Sequence, residues 1–201
     1  MDEKPSVKQT IMANALDLFS KKGYEGVSIN ELTEASGITK PSLYYYFKSK
    51  EGLFEAICQS NYLELDALIA EKAAYAPNIK TYSKDIYPTL SNVAEAYFSF
   101  AKANPAFFRI ALTNLSMPPS SAMFKIVEKY HFTQFGIIEQ MFAEMAEAHS
   151  NLKGKGKTLA WSFIGTINSY ASLYLSGISS IDLSDKTAAE LVHQFMHGIY
   201  A

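Results

Sequence analysis

The sequence predicts an all-α chain. Apolar residues recur at helical spacing almost from end to end, no alternating run bounded by turns reads as a strand, and segment starts carry the polar pattern of N-caps. At 201 residues, the chain is long enough for one large domain or two small ones.

The first helix is expected from about Ser6, where Ser6 and Gln9 form a capping box. Ile11, Ala15, Leu18 and Phe19 make its apolar face, and Lys21-Lys22-Gly23 makes a basic last turn with a glycine stop. The second begins at Ser28 with a capping box to Glu31, turns Ile29, Leu32 and Ala35 inward, and stops at Gly37. The third starts at Thr39 or Lys40 with Pro41 in its first turn, where a missing N–H costs nothing, and ends near Phe47. A fourth follows Ser49 and runs to about Ala74 on Leu53, Ile57, Leu65, Leu68 and Ile69.

Residues 75–88, with two prolines among turn formers, are the clearest break. A helix is expected from about Ser83 to Ala103, interrupted or restarted at Pro88, then a short one from Pro105. After a loop at 117–121, a long amphipathic helix runs from about Ser120 to Ala148, with Met123, Val127, Tyr130, Ile138, Met141 and Met145 on one side. The lysine-glycine stretch at 151–157 reads as a turn, and two last helices are expected over about Lys157 to Ser176 and Ser184 to Tyr200.

Composition removes several classes of function. The hydrophobic fraction of 48% against 19% charged residues supports a packed core. One cysteine, Cys58, excludes an intramolecular disulfide framework and a multi-cysteine zinc site, so a reducing cytoplasmic setting is expected. The N-terminus lacks the layout of a secretory signal, and the uncharged stretch 158–181 has nine Ser, Thr or Asn residues, so a membrane partner is not expected. No glycine-rich phosphate loop, nucleophile elbow or metal cluster is present, so neither an enzyme, a cofactor nor a metal is expected. His193 and His197 have the i, i+4 spacing of paired ligands but no third partner in the sequence.

The net charge of −2 argues against nucleic acid only as a whole-chain number. Residues 1–50 hold seven Lys and six acids, whereas residues 51–201 hold 11 basic residues against 14 acids. Within the first part, residues 37–50 contain three Lys and no acid. Of the 18 basic residues only Arg109 is an arginine, so bidentate guanidinium recognition of guanine or phosphate is almost absent.

Residues 28–50 are two short helices joined by a turn at Ser36-Gly37-Ile38, a helix-turn-helix arrangement. Leu43 and Phe47, at i, i+4, must face inward with Ile38, which leaves Lys40, Pro41, Ser42, Tyr44 and Tyr45 on an outer or flanking surface. The run Gly37-Ile38-Thr39, then Leu43-Tyr44, Tyr46-Phe47 and Lys50, resembles the recognition helix of the tetracycline-repressor (TetR/AcrR) family of bacterial transcriptional regulators. Residues 15–29, ALDLFSKKGYEGVSI, are similar to that family's first helix and turn, and the likeness covers about residues 8–58.

The resemblance implies a three-helix DNA-binding domain over residues 1–50 and a helical effector-binding and dimerisation domain over 51–201. It implies that Lys40, Pro41, Ser42, Tyr44 and Tyr45 approach base edges, and that Ser28, Tyr46 and Lys50 hold the DNA backbone. The chemistry agrees: Ser28 and Thr39 sit at helix N-termini that favour phosphate, while Pro41 and tyrosine rings suit thymine methyls. The function implied is a ligand-responsive homodimeric repressor, released from a palindromic operator by a small effector.

Two further readings concern the larger part. Gly165, Ser169, Ser172 and Ser176 form a stripe of small residues on an uncharged helix, and with Leu191, Val192, Phe195 and Ile199 they are the expected dimer interface. Tyr97, Phe98, Phe108, Tyr130, Trp161 and Tyr170 are the candidate lining of a pocket for a largely apolar or aromatic effector. Arg109 is a candidate anion partner.

Overall fold

The computed structural model describes residues 6–81, 84–178 and 180–198. Within them are nine α-helices and no strand: α1 Val7–Lys22, α2 Ile29–Ser36, α3 Lys40–Phe47, α4 Lys50–Lys72, α5 Ile86–Ala103, α6 Pro105–Asn114, α7 Ala122–Ala148, α8 Gly156–Ser176 and α9 Asp185–His197. The all-α expectation holds. The three caps read from the sequence also form: Ser6 with Gln9, Ser28 with Glu31, and Thr39 accepting from the Ser42 N–H.

Two compact units are present, one of residues up to Tyr62 with Ala106–Lys129, the other of Leu63–Pro105 with the residues from Tyr130 onward. The first is organised by α1 to α3. Ile11, Ala15 and Phe19 of α1 are buried, as are Leu32 of α2 and both inward anchors of α3, Leu43 and Phe47. Ala35 departs from expectation: it is exposed and Ile29 only half-buried, while Thr33 is buried with its hydroxyl donating to the carbonyls of Ile29 and Asn30. The Asn14 side-chain amide donates to the Ala35 carbonyl at 3.0 Å, tying α1 to the end of α2.

Phe19, Tyr24 and Phe54 meet with ring centroids 5.3–5.8 Å apart, locking the end of α1 against α4. Cys58 is buried, and burial raises its thiol above the ordinary cysteine range, with the Glu55 charge adding to the shift. It behaves as a small apolar core residue.

The second unit is built around α5, which packs against α9 and α8. Eleven of its 18 residues are buried, so apolar residues recur all round it rather than on one face. Pro88 does not interrupt this helix. It is the third residue, within the first turn, where no intrahelical N–H is needed. Ser83, the expected start, lies outside the described residues, as do Ile199 and Tyr200 at the expected end of α9.

The segment before α5 is clasped to the end of α7. The Asp85 carboxylate accepts from the Tyr75 hydroxyl at 2.6 Å and the Asn78 N–H at 3.0 Å, and pairs with His149 Nε2 at 2.6 Å. Burial alone would raise the Asp85 carboxyl. Its three partners outweigh burial and hold it below the ordinary aspartate value.

Candidate nucleic-acid interface

The turn between α2 and α3 is made by Gly37, whose φ of 62° lies in the left-handed region that a side chain disfavours. Thr39 then caps α3, and its hydroxyl lies 3.0 Å from that of Ser42. Because Leu43 and Phe47 point into the unit, Lys40, Pro41, Tyr44 and Tyr45 lie outward, with Ser42 half-buried between the two faces. Tyr45 is 74% exposed and Tyr44 44%. A short helix that spends two tyrosines, a proline and a lysine on solvent gains little stability from them, so this face is available for contact with another surface.

Tyr46 is 38% exposed and packs its ring edge-on to Tyr45 at 5.2 Å and beside Phe47 at 6.2 Å, so it serves both the surface and the support of α3. Lys48 ends the helix with a positive φ of 68°. Its backbone N–H donates to the Tyr44 carbonyl, closing the last turn.

Two of the backbone-holding residues implied by the resemblance are engaged within the chain. The Ser28 hydroxyl donates to Glu31 Oε2 at 2.8 Å, and the Glu31 carboxylate pairs with Lys22 at 2.7 Å. Hydrogen bonding from Lys22 foremost, then from the Ser28 N–H and hydroxyl, brings that carboxyl down to about 2. The N-terminus of α2 therefore already holds an anion. The Lys50 ammonium rests 4.0 Å from the Tyr24 ring centroid, a cation–π contact that keeps the side chain along the protein surface.

Gly52 is a positioning residue that sequence reasoning missed. A Cβ there would lie 2.1 Å from the Phe47 carbonyl oxygen, so only glycine lets the first turn of α4 approach the end of α3 this closely. The only signal in the sequence is a glycine in the first turn of a predicted helix. The obstacle itself is tertiary.

In the second unit the small residues Gly165, Ser169, Ser172 and Ser176 of α8 are all exposed. The Ser169 hydroxyl donates to the Gly165 carbonyl and that of Ser176 to the Leu173 carbonyl, so the stripe presents little unsatisfied polarity. Leu191 and Val192 are corrected: at 1% and 0% exposure they belong to the chain's own core and have no surface left to give a partner. Phe195 is half-buried against Phe163 and Phe142.

The aromatic set does not converge on one space. Tyr97 and Phe98 are buried on α5, Tyr170 stacks on Phe98 with centroids 6.2 Å apart, and Tyr130 is half-buried, while Phe108 is buried in the first unit. Trp161 is 56% exposed and stands one turn before Gly165, which puts it in line with the outward stripe of α8. What the sequence did not disclose is a buried polar group. The Tyr97 hydroxyl of α5 is buried without a hydrogen-bond partner among the described residues, close enough to Asp66 of α4 to feel its charge, and Asp66 in turn faces Gln134 of α7. Burial pushes the Asp66 carboxyl up to about 6, against the opposing pull of the Gln134 amide beside it, and the Asp66 charge acts in turn on Tyr97.

No group of three His, Cys, Asp or Glu residues among those described could hold a metal ion, and no described helix is long and apolar enough to cross a membrane.

Residues 11–57 match the family model for bacterial regulatory proteins of the tetR family. The biofilm operon icaADBC HTH-type negative transcriptional regulator IcaR of Staphylococcus aureus is 43% identical over 49 residues, 24% of this chain and 26% of that protein. The HTH-type transcriptional regulator RutR of Escherichia coli is 42% identical over 50 residues, 25% of this chain and 24% of that protein. The match thus spans about a quarter of the length of these curated relatives. Beyond it, likeness is of fold. FadR from Bacillus subtilis, solved with stearoyl-CoA, superposes with a TM-score of 0.79 at 14% identity, covering 95% of this chain and 98% of that one. PfmR, a TetR family regulator from Thermus thermophilus, gives 0.76 at 19% identity, covering 98% of this chain and all of that one. The DNA-binding segment of bacterial regulatory proteins of the tetR family is thus matched in sequence from α1 into α4, and the remaining helices follow the fold of the solved structures.

Proposed function

We propose that the chain is a DNA-binding transcriptional regulator, a homodimeric repressor that reads a palindromic operator with α3 and is released by a small-molecule effector. The observation that carries this is the build of α3: Leu43 and Phe47 are spent on the core while Lys40, Pro41, Tyr44 and Tyr45 are left outside. In the major groove, Lys40 donates to guanine O6 or N7, while Pro41 and the two rings lie against thymine methyls. Lys48 and Lys50 supply point charges to phosphate, Lys50 by leaving the Tyr24 ring. Residues 1–50 carry the DNA role and residues 51–201 the effector and dimer roles.

Dimerisation through α8 is supported by its exposed face. Trp161, Gly165, Ser169, Ser172 and Ser176 follow one another at steps of three and four, and Leu173 beside them is 41% exposed. A two-fold pair would present two α3 helices to successive major grooves, about 34 Å apart. An effector site in the second unit is supported by the unpartnered hydroxyl of Tyr97 within reach of the Asp66 charge, since buried polar groups are rarely left unpaired. B. subtilis FadR, solved in complex with stearoyl-CoA, is a precedent for a small molecule held by this fold. Binding acts by linkage: an effector that prefers a conformation misfitting the operator lowers DNA affinity by the ratio of its affinities for the two states.

The test is a gel shift at low salt with the purified chain and duplexes selected from a random pool. Enrichment of an inverted repeat, with binding lost in Tyr45→Ala while the oligomeric state is unchanged, is the expected result. Sequence-indifferent binding, or selected binding that survives Tyr45→Ala and Lys40→Ala together, contradicts it.

A further inference from the structure

The first compact unit contains a cavity of about 230 Å³, whose walls include Phe19, Phe54, Ile110 and Met123. Three polar residues of α6, Arg109, Thr113 and Asn114, also line it, and the Thr113 hydroxyl is spent on the Arg109 carbonyl at 2.8 Å. Asn114 is 3% exposed, and its Nδ2 donates to the Ile110 carbonyl at 2.9 Å, which fixes the orientation of the amide. Its Oδ1 is consequently an acceptor, buried and without a partner among the described residues. Five residues earlier stands the chain's only arginine, Arg109, exposed, with no ion pair among the described residues. The two lie about 7.5 Å apart along the helix axis, from 1.5 Å of rise per residue.

An apolar chamber with a cation on its solvent side and an unpaired acceptor at its inner side selects for one chemistry. The occupant has an apolar body, an anionic group at one end and a hydrogen-bond donor at the other. Its size is bounded too: about 230 Å³ lies below the roughly 300–1,000 Å³ range of pockets for drug-sized ligands, so a long acyl chain or a nucleotide is excluded. We propose that this cavity binds a small aromatic acid, its carboxylate paired with Arg109, its ring among Phe19, Phe54 and Met123, and a para hydroxyl donating to Asn114 Oδ1.

The site is distinct from the Asp66 group of the second unit and does not depend on it. It borders the DNA-facing machinery through Tyr24, which lines the cavity and carries the Lys50 ammonium on its ring. The Tyr24 hydroxyl is buried without a hydrogen-bond partner among the described residues, and burial, with the Glu51 charge, holds it protonated, so it offers a donor where Asn114 Oδ1 offers an acceptor. Binding of the acid is therefore felt at a residue proposed to hold phosphate.

The test is calorimetric titration of the full chain with 4-hydroxybenzoate, benzoate and 4-hydroxybenzamide. The expected result is one 4-hydroxybenzoate per chain, with benzoate, which lacks the donor, and the amide, which lacks the charge, each about ten-fold weaker or worse. Arg109→Met, at an exposed position that the fold does not need, lowers 4-hydroxybenzoate affinity by a similar factor, and Met123→Trp, which fills the chamber, removes binding. Asp66→Asn leaves it unchanged. Absence of saturable binding by all three probes, equal binding of acid and amide, affinity unaffected by Arg109→Met, or loss in Asp66→Asn overturns the proposal. Because none of these readouts involves DNA, their failure is separable from failure of the operator reading.

Discussion

Replacing Gly52 by alanine sets two physical effects against each other. Helix propensity favours alanine by about 1 kcal/mol inside a helix, and Gly52 lies in the first turn of α4 without a left-handed φ. Propensity alone therefore predicts stabilisation. The added Cβ, however, would sit 2.1 Å from the Phe47 carbonyl oxygen, 0.9 Å inside the 3.0 Å below which such contacts essentially never occur. Only Lys48 and Ser49 lie between the two helices, so relief must come from moving buried Phe47 or the start of α4. Overpacking of this kind costs about 1–3 kcal/mol, leaving a net loss of up to about 2 kcal/mol after the propensity gain. For a chain of this size that is a fall in Tm of up to about 8 °C. Gly136→Ala is the control, because Gly136 lies in α7 with nothing within 4 Å of its would-be Cβ. Thermal unfolding followed by circular dichroism should show Gly52→Ala lowered and Gly136→Ala level or raised. If Gly52→Ala matches Gly136→Ala, the argument for a close α3–α4 approach is wrong.

Three other outcomes follow from the same structure. Leu43→Ala, at a position with 0% exposure, should lose about 2–5 kcal/mol, whereas Tyr45→Ala should stay within about 0.5 kcal/mol in chemical denaturation yet lose operator affinity. Asp85 and Asp66, both in the second unit, have opposite pH effects on stability. Asp85 is held low by its partners in the folded state, so its contribution is complete above the ordinary aspartate value and is lost as pH falls through its lower folded value. Asp66, raised to about 6 by burial, binds its proton more tightly when folded, so it costs stability as pH rises from about 4 to 6. Urea titrations across that range should show Asp66→Asn gaining about 1–2 kcal/mol at neutral pH, after allowance for its partial exposure, with little gain at pH 4. Operator affinity should also fall with salt at a limited slope. Lys40, Lys48 and Lys50 on each of two subunits neutralise at most six phosphates, so the slope of log affinity against log salt should not exceed about −5.

The boundaries of α1 to α3 were legible because they rest on local bonds: Ser6 with Gln9, Ser28 with Glu31 and Thr39 with Ser42 all act within three residues. The inward pair Leu43 and Phe47 was legible because i, i+4 spacing on a short helix admits one buried face. What could not be read depends on partners distant in sequence. An apolar face on α9 does not say what covers it, and α5 of the same chain takes Leu191 and Val192. Aromatic density does not separate core from surface, so Trp161, assigned to a pocket, lies outward. Asp66 and Gln134 look like solvated positions on amphipathic helices; Gln134 is instead buried and Asp66 half-buried, with its charge felt at Tyr97. Lys50 meets Tyr24 across 26 positions, a contact that no spacing rule anticipates.

The most direct measurement is the operator itself. Purified full-length chain is equilibrated with random duplex DNA at low salt, bound sequences are selected, and the bound complex is footprinted. The account predicts an inverted repeat protected on two half-sites about one helical turn apart, two chains per duplex, and loss of protection in Tyr45→Ala. Selection of no sequence, or protection of a single unrepeated site unaffected by substitutions on α3, would contradict it.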